Sequence, residues 1–370
     1  MTNREAQILQ WIKDNPMISQ EELAAKAGIK RSSVAVHISN LMRKGYIQGK
    51  GYITSNPDYC TVVGGVNIDI GGKPDEPLIE KDSNPGRVSM SLGGVGRNIA
   101  HNMTLLGIPT KLVTALGSDV NAQKIIESCM ELGIDVSSSY HSTTEPTSTY
   151  LFISSDDGDM ALAISDMNIY RHMTPEFMAS RMELLNHSRI IMVDTNIPEE
   201  TIAYVCRNSK VPVYSDPVSC KKAQKLLPVL DRLHTIAPNT LEAEILSGVT
   251  IRTEADLQKA SDALLRKGVK RVFITMGGDG IYAADETGHL KLPNLKTHLV
   301  NATGGGDAFM AGLVLAAQHN LPLRETALCG LAAGSIAVES RKTINDNLSA
   351  SEVFQRAGIH NISLTGGVLS

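Results

Sequence analysis

The second half of the chain alternates short apolar runs with helical segments, and this alternation constrains the fold more than any other feature. The apolar runs cover residues 189–193, 211–214, 235–237 and 271–275. Segments of helical spacing separate them, an order typical of parallel strands joined by crossover helices. The sequence therefore predicts an α/β domain with a mostly parallel sheet and helices on both of its faces.

Polar residues follow each of these runs. They occupy residues 194–196, 216–217, 238–239 and 275–280. Because the carboxyl ends of parallel strands meet at one edge of a sheet, these side chains are expected to lie close together. That edge is where open α/β sheets bind their ligands, so it is the predicted active-site crevice.

A glycine-rich loop, Gly304-Gly305-Gly306-Asp307, directly precedes an apolar helical pattern. Glycine lets the backbone approach a ligand closely, and the first N–H groups of a helix can bind an anion such as a transferring phosphoryl group. Asp307 would then be placed to take a proton from an attacking hydroxyl. The alternative is a glycine-rich turn in which Asp307 is only the N-cap.

Two further motifs lie in the first half of this domain. Asn67 and Asp69 follow an apolar run at residues 59–63 and could accept hydrogen bonds from sugar hydroxyls, or could instead form an Asx-turn. Residues 92–98, Leu-Gly-Gly-Val-Gly-Arg-Asn, lead into a helical pattern. They lack the Lys-Ser/Thr pair of a P-loop, which excludes a Walker-type site.

Together, the three glycine-containing motifs resemble those of the ribokinase-like (PfkB) family of sugar and nucleoside kinases, across residues 58–360. The resemblance implies a three-layer α/β/α fold with a small β lid, and phosphoryl transfer from ATP. By matching position, it makes the loop at 304–307 the anion hole, with Asp307 as the base. It also makes Asp69, Gly93, Gly94 and Asn98 substrate ligands.

The chain departs from the family pattern at two positions. Gly305 stands where the family usually has alanine, which adds flexibility but keeps the N–H donors. Asn301-Ala302 stands where Asp-Thr is more common. The second change bears on the family's monovalent-cation site, so binding of a cation such as K⁺ stays an open expectation.

Asn239-Thr-Leu-Glu242 matches the family's Asn-x-x-Glu motif, which acts on magnesium and the nucleotide phosphates. Mg²⁺ keeps several of its waters and needs few carboxylates, so Glu242 is the predicted metal-site residue. The resemblance places Asn239, Thr275, Gly277 and Gly280 at the ATP. The alternative for Asn239 is a simple helix cap.

Two segments alternate polar and apolar residues and are predicted to be strands, residues 87–92 and 147–164. In the family such strands form a lid over the sugar and often pair with a second subunit. The resemblance therefore implies lid strands at about 70–92 and 147–165, exclusion of water on closure, and a homodimer through the lid.

Several segments, among them residues 83–86, 164–169 and 238–244, resemble the pseudouridine kinases within that family. This resemblance predicts phosphorylation of the ribose 5′-hydroxyl of pseudouridine. Asp166 and Asn168 could read a uracil-like base, or could form a polar turn. The full set of expected substrate-binding residues is Asn67, Asp69, Gly93, Gly94, Arg97, Asn98, Thr149, Asp166 and Asn168. A kinase of ribose, inosine or adenosine, and a ligand-sensing transcription regulator, are the alternatives.

The first 56 residues form a separate, basic segment. They carry eight basic and four acidic side chains, a net +4 in a chain of net −4, so the remainder carries −8. Apolar spacing and turn residues predict three helices, a Ser19–Glu22 capping box and a Gly28 C-cap. Residues 46–53 are predicted to be two short strands around a turn.

This arrangement resembles a winged helix-turn-helix DNA-binding domain. In that resemblance the third helix enters the major groove and basic side chains meet phosphates. The expected DNA-binding residues are Lys30, Arg31, Ser32, Ser33, His37 and Lys50. A small three-helix bundle used for dimerisation or protein contacts is the alternative.

The sequence thus predicts a DNA-binding domain at 1–56 and a kinase domain at 58–365. The five cysteines are scattered, with no Cys-x-x-Cys pair, and indicate neither a disulfide framework nor a zinc site. No apolar run approaches the length of about 20 residues that crosses a bilayer, and no signal-peptide pattern opens the chain. We expect no membrane partner and a cytoplasmic location.

Overall fold

The structure is a computed structural model that describes residues 1–47, 59–155 and 160–360. Its N-terminal module contains helices α1 (Asn3–Asp14), α2 (Gln20–Ala27) and α3 (Arg31–Arg43). The capping box of Ser19 and Glu22 and the left-handed Gly28 are present, as predicted. The helices enclose their own apolar cluster, separate from the rest of the molecule.

The remaining residues form the body of the molecule. Its first elements are β1 (Cys60–Val63), β2 (Asn67–Pro74), β3 (Gly86–Gly93), α4 (Val95–Leu105), β4 (Thr110–Val113), β5 (Ala115–Leu116), α5 (Val120–Glu131), β6 (Tyr140–His141), β7 (Thr149–Ser154) and β8 (Met160–Asp166). A 3₁₀ helix, Asn168–His172, follows β8.

The second part of the body continues the alternation of helices and strands. It contains α6 (Pro175–Ala179), α7 (Met182–Asn186), β9 (Ile191–Asp194), α8 (Glu199–Asn208), β10 (Val213–Asp216), α9 (Cys220–Ala223), β11 (Thr235–Ile236), α10 (Thr240–Ser247), α11 (Glu254–Arg266), β12 (Arg271–Thr275), β13 (Ile281–Asp285), β14 (Gly288–Leu292), α12 (Gly305–Gln318), α13 (Leu323–Ala337) and α14 (Ala350–Arg356). Further 3₁₀ turns cover Gln224–Arg232 and Gly277–Asp279. Across the three described ranges, no helix is long and apolar enough to cross a membrane.

Within the described residues, eight strands form the central sheet in the order β14-β13-β12-β11-β10-β9-β1-β4. The strands from β12 to β4 are parallel, which confirms the predicted sheet. The last two, β13 and β14, add an antiparallel edge that the sequence reading did not predict.

Helices cover both faces of this sheet, so the body has three layers. Strand residues alternate between two apolar clusters. Val62 belongs to the cluster that contains α4, α12 and α13 on one face, and Val63 to the cluster that contains α8, α10 and α11 on the other. A fully buried side chain of this kind contributes about 1.5–3 kcal/mol. Burial on both faces explains why these strands read as continuous apolar runs.

A second sheet, the lid, has the described strand order β3-β2-β7-β8. β2 and β7 are parallel, and each outer strand is antiparallel to its neighbour. Strands β3, β7 and β8 overlap the segments 87–92 and 147–164 that were predicted to be strands. The lid also contains β2, which begins at Asn67 and so carries the polar motif of that segment into the sheet.

The N-terminal module contacts the body at α7. Lys44 Nζ lies 2.9 Å from Glu5 Oε2 within the module and 3.4 Å from Glu183 Oε2 of α7. The rings of Tyr46 and His187 meet edge to face, with centroids 4.4 Å apart. The predicted β-wing at 46–53 lies mostly outside the described residues.

Candidate active site

Asp307 lies in the first turn of α12, at the carboxyl edge of the central sheet. The N-cap of this helix is Gly304, which has a φ of +85°. A Cβ atom added at this position would lie 2.1 Å from the carbonyl oxygen of Thr343. Asp307 is therefore not the N-cap, and the structure excludes that alternative. The first N–H groups of α12 have no acceptor within the helix, and that of Gly305 donates to the Ala302 carbonyl at 3.4 Å.

The Asp307 carboxylate is held by Asn98 of α4, whose Nδ2 donates to Oδ2 at 2.9 Å. This contact joins two motifs that are 209 residues apart in sequence. Part of the Asp307 side chain stays open to solvent, yet loss of hydration raises its pKa to about 7, against the lowering effect of the Asn98 hydrogen bond. A carboxyl with this pKa can accept a proton near neutral pH.

Other carboxylates gather at the same edge. Burial, followed by the negative charges of Asp307, Glu242 and Asp194, raises the pKa of Asp216 well above its usual value. Val218 N–H donates to Asp216 Oδ1 at 2.7 Å, and Val218 adopts a φ of +64° that is strained for a β-branched residue. This concentration of negative charge favours a cation or a proton at the edge.

Asp194, at the end of β9, has no exposed surface. It accepts hydrogen bonds from the N–H groups of Gly65 at 2.7 Å and Asn196 at 2.8 Å. Burial raises its pKa, although these bonds oppose the shift. Lys222 Nζ donates to Asn196 Oδ1 at 2.6 Å and places one positive charge beside this group.

Asn239 and Glu242 form a capping box at the start of α10. Asn239 Oδ1 accepts from Glu242 N–H at 3.0 Å, and Asn239 N–H donates to Glu242 Oε2 at 2.9 Å. The cap is therefore real, and the Glu242 carboxyl is buried with a pKa raised mainly by that burial. Thr275 pairs with Asn239 through a β-bridge, so these two predicted ATP residues are adjacent.

Gly277 and Gly280 begin and follow the short 3₁₀ turn after β12. Both have positive φ, of +56° and +92°. The Gly277 carbonyl accepts from Asn294 Nδ2 at 2.6 Å. Gly277 and Gly280 lie two and five residues after Thr275, which pairs with Asn239.

The sugar-binding candidates meet where β2 and β3 return to the body. Asn67 Nδ2 donates to Asp69 Oδ1 at 2.5 Å, and burial raises the pKa of Asp69. A side chain on Gly93 would overlap the Asp69 carboxylate, and one on Gly94 would lie 2.5 Å from Val66 Cα. Glycine is thus required here because two backbones and a carboxylate share the space.

Strand register separates the predicted lid residues. Asp69 pairs with Ser91 and Tyr150, and Tyr150 pairs with Ser165, so these four side chains belong to one face of the lid. Thr149 and Asp166 pair with each other in the next row and belong to the opposite face. The structure does not bring them together with Asp69.

Two other predicted substrate residues also bond elsewhere. The Arg97 guanidinium is buried and donates to Ser128 Oγ of α5 at 2.8 Å, with a longer bond to the Leu92 carbonyl. Asn168 Nδ2 donates to Asp166 Oδ1 at 3.2 Å in an exposed position. The second contact is the polar turn that was the alternative for this segment.

The fold and the gathered motifs agree with the comparisons. The pfkB family of carbohydrate kinases matches residues 57–350, about four fifths of the chain. The chain belongs to the pfkB carbohydrate kinase family. It is therefore a phosphotransferase with an alcohol group as acceptor, and a winged helix-turn-helix DNA-binding family matches residues 1–48.

Individual relatives are similar over most of this kinase. The sugar kinase YeiI of Escherichia coli K12 is 38% identical over 95% of this chain and 97% of its own. The pseudouridine kinase of the same organism is also 38% identical, over 80% of this chain and 96% of its own. A sugar kinase structure from Clostridium perfringens superimposes with a TM-score of 0.74, at 32% identity, covering 81% of this chain and 95% of the other.

In the N-terminal module of this kinase, four of the predicted DNA-binding residues lie at the start of α3, and His37 lies in its middle. Lys30 is the N-cap residue of α3, although its side chain makes no capping hydrogen bond. Arg31 forms an exposed ion pair with Glu21 at 3.1 Å. Ser32 and Ser33 are exposed, and His37 is partly exposed. Lys50 lies outside the described residues.

Sequence reasoning missed several residues that the fold brings to the site. Asp194 and Asp216 were recognised as polar strand ends but not as a charged cluster with Asp307. Tyr150 and Ser165 were included in predicted strands and family-like segments but were not proposed as substrate-binding residues. Tyr150 and Ser165 lie far in sequence from the glycine-rich loops, and no sequence pattern linked them to the site. Asp194 and Asp216 could have been identified from their position at strand ends.

Proposed function

We propose that this kinase transfers the γ-phosphoryl group of ATP to the ribose 5′-hydroxyl of pseudouridine. The observation that carries the substrate assignment is the 38% identity to a pseudouridine kinase over 96% of that protein's length. The site geometry supports the chemistry, because the Asp307 carboxylate, held by Asn98, lies in the first turn of a helix at the expected edge.

Asp307 acts as the general base in this proposal. Its ionised form takes the proton of the 5′-hydroxyl as that oxygen attacks the γ-phosphorus. Asn98 orients the carboxylate through its 2.9 Å bond. The backbone N–H groups of residues 304–307 stabilise the charge on the transferring group, which is the largest protein contribution to phosphoryl transfer.

Kinases of the pfkB family use ATP and Mg²⁺. In the described part of this chain, no three His, Cys, Asp or Glu side chains are placed to hold one metal ion together. Mg²⁺ needs only one or two carboxylates besides water and phosphate oxygens. The negative charge gathered around Asp216 fits a divalent cation there. We propose that Glu242 holds Mg²⁺ through water, and that the metal neutralises charge on the phosphates.

Asn239, Thr275, Gly277 and Gly280 are proposed to line the ATP. Their support is their adjacency after β11 and β12. Activation by K⁺ stays a prediction. Asn301, where the family more often has aspartate, donates to the Arg341 carbonyl at 3.2 Å and accepts from Thr303 N–H at 3.0 Å.

The proposed substrate ligands are Asn67, Asp69, Gly93, Gly94 and Asn98. Asp166, Asn168, Thr149 and Arg97 stay predictions, and their present hydrogen bonds give them no direct support. Tyr150 and Ser165 share the lid face of Asp69 and are additional candidates for contact with the base.

An ATP-consumption screen tests the substrate. Purified enzyme would be offered pseudouridine, uridine, inosine, adenosine and ribose, and the product position would be read from ³¹P–¹H coupling. Turnover highest with pseudouridine, at the 5′ position, is the expected result. Preference for ribose or a purine nucleoside would contradict the assignment and leave the kinase family membership intact.

The winged-helix module supports a second function, binding of duplex DNA. The observations are its family match and the exposed basic start of α3. Binding to random duplex DNA should weaken with salt and fall several-fold in the Lys30→Ala variant, whereas Lys73→Ala in the lid serves as a charge-matched control. No turnover with any acceptor, together with ligand-dependent DNA binding, would favour a regulator over an enzyme.

We further propose a homodimer through the lid. The face opposite Asp69 carries five exposed apolar side chains: Val88, Met90, Leu151, Leu162 and Ile164. Such a patch on an exposed sheet favours pairing. Light scattering should give twice the chain mass for the wild type and a monomer for Met90→Lys. The proposed domains are 1–56 and 58–365, and use of ATP and DNA would place the protein in the cytoplasm.

A further inference from the structure

The chain passes between the lid and the body four times, and residues at three of these connections meet at the hydroxyl of Tyr170. These residues are Val66 between β1 and β2, Ser148 before β7, and Tyr170 after β8. The hydroxyl of Tyr170 accepts the N–H of Val66 at 2.6 Å and donates to the carbonyl of Val66. Ser148 Oγ donates to the same carbonyl at 2.9 Å and lies 3.4 Å from the Tyr170 hydroxyl.

The ring of Tyr170 is anchored in the body. It is 2% exposed and packs in the apolar cluster on the α8 face of the central sheet. Burial raises the pKa of its hydroxyl, so the group stays protonated and keeps its one donor. A rigid ring thus carries a donor and acceptor into the junction between the two sheets.

The backbone that Tyr170 holds belongs to the substrate site. Val66 directly precedes Asn67, whose amide bonds Asp69. Its Cα also lies against Gly94 of the second substrate loop. The preceding N–H, of Gly65, is held by Asp194 from β9. Two buried side chains of the body therefore fix consecutive peptide groups at this hinge.

We propose that Tyr170 is a positioning residue for the acceptor substrate. Through Val66 it fixes the lid relative to the body, so that Asp69 of the lid and the Asn98–Asp307 pair of the body face the same sugar. The inference rests on the proposed sugar or nucleoside kinase function. It does not depend on which acceptor is used.

The test compares two tyrosine-to-phenylalanine variants. Tyr170→Phe removes the hydroxyl that binds Val66. Tyr214→Phe is the matched control, because Tyr214 is also 2% exposed but lies in β10 and stacks on His234. We expect the KM for the acceptor to rise about tenfold in Tyr170→Phe, the loss of about one buried hydrogen bond. The KM for ATP should stay within twofold, and Tyr214→Phe should leave both unchanged.

Ser148→Ala provides a second variant that keeps the ring. Its acceptor KM should rise by less, and the double variant should show less than the product of the two single effects, because both side chains act on Val66. An unchanged acceptor KM in both Tyr170→Phe and Ser148→Ala overturns the proposal, even if Tm falls.

Amide hydrogen exchange tests the role of Tyr170 independently of the proposed kinase activity. Wild-type turnover tests the proposed function, whereas exchange of residues 66–70 needs no substrate. Exchange there should be faster in Tyr170→Phe than in Tyr214→Phe. Equal exchange in the two variants would contradict the hinge role, whatever acceptor the wild type uses.

Discussion

The two edges of the central sheet use carboxylates in opposite ways. Near the amino ends of the parallel strands, Asp285 pairs with Arg271 at 3.3 Å. Asp135 pairs with Lys111, and although burial alone would raise its pKa, the Lys111 and Ser137 hydrogen bonds lower it. At the carboxyl edge, the pKa values of Asp307 and Asp216 are raised.

The difference separates stability from chemistry. A paired carboxylate stabilises the fold and has little tendency to change its protonation at neutral pH. A desolvated carboxylate among other carboxylates gains from a proton or a cation, which is what a base and a metal site require. The charge environment therefore favours the carboxyl edge as the site, independently of any motif.

Replacing Asp307 by Asn should produce the largest effect. The variant keeps the shape but loses the base, so kcat should fall about 10²–10⁴-fold with little change in the KM for either substrate. Steady-state kinetics measure this directly. A variant within a few-fold of the wild type would remove Asp307 from the mechanism.

The same variant should be more stable than the wild type above neutral pH. The Asp307 pKa is about 7 in the folded protein and 3.8 for an ordinary aspartate exposed to water. Ionisation therefore disfavours folding as pH rises between these values. Thermal unfolding should show a Tm gain for Asp307→Asn at pH 8 that disappears near pH 4. A gain that does not depend on pH would contradict the raised pKa.

The pH dependence of the wild type should be the next largest effect. Because the ionised carboxylate is the base, kcat/KM should fall about tenfold per pH unit below pH 7 and level off above it. Profiles measured for Asn98→Ala should shift to higher pH, since Asn98 lowers the pKa of Asp307. A profile that is flat from pH 5 to 8 would count against this assignment.

Asp285→Asn tests the opposite edge. Loss of the partner of a partly buried arginine should lower the free energy of unfolding by about 1–3 kcal/mol, while kcat and both KM values stay near those of the wild type. Urea unfolding and kinetics on the same preparation check both parts. If Asp285→Asn lost activity but kept its stability, Asp285 would have a catalytic role and not a stabilising one, which would contradict the difference between the two edges.

Gly305→Ala should have the smallest effect. An added methyl group would lie 3.1 Å from Val338 Cγ1, a crowding that opposes the gain of about 0.5–1 kcal/mol from replacing glycine in a helix. We expect a Tm change of only a few degrees and kcat within about threefold. A large loss of kcat would show that catalysis depends on the exact position of the Gly305 N–H group.

Local and periodic signals predicted much of the fold. The Ser19 capping box, the Gly28 cap and strand β12 all follow from neighbouring residues, and the parallel sheet follows from their order. The antiparallel β13 and β14 are as long as β12, but in the described segment 271–292 no α-helix separates β12 from β13 or β13 from β14. The alternation of strands and helices therefore did not identify them. Sequence order does not specify that the sheet ends with a reversed edge.

The site was predicted in part. Its glycine loops and Asp307 are local motifs, and the strand-end rule predicted that residues 194–196, 216–217, 238–239 and 275–280 share one edge. Thr149 and Asp166 were chosen without knowledge of register, and a one-residue step along a strand reverses the face. Tyr170 acts through a contact with Val66, 104 residues away, that only the folded chain reveals.

Gly304 and Thr343 illustrate a constraint between distant parts of the chain. The carbonyl of Thr343 fills the space that any side chain at position 304 would need, and the φ of +85° adds a second penalty. A change at position 304 is therefore tolerated only if the segment around 343 moves as well. We therefore expect the two segments to change together in related chains, and an insertion near residue 343 to reshape the glycine-rich loop at 304–306.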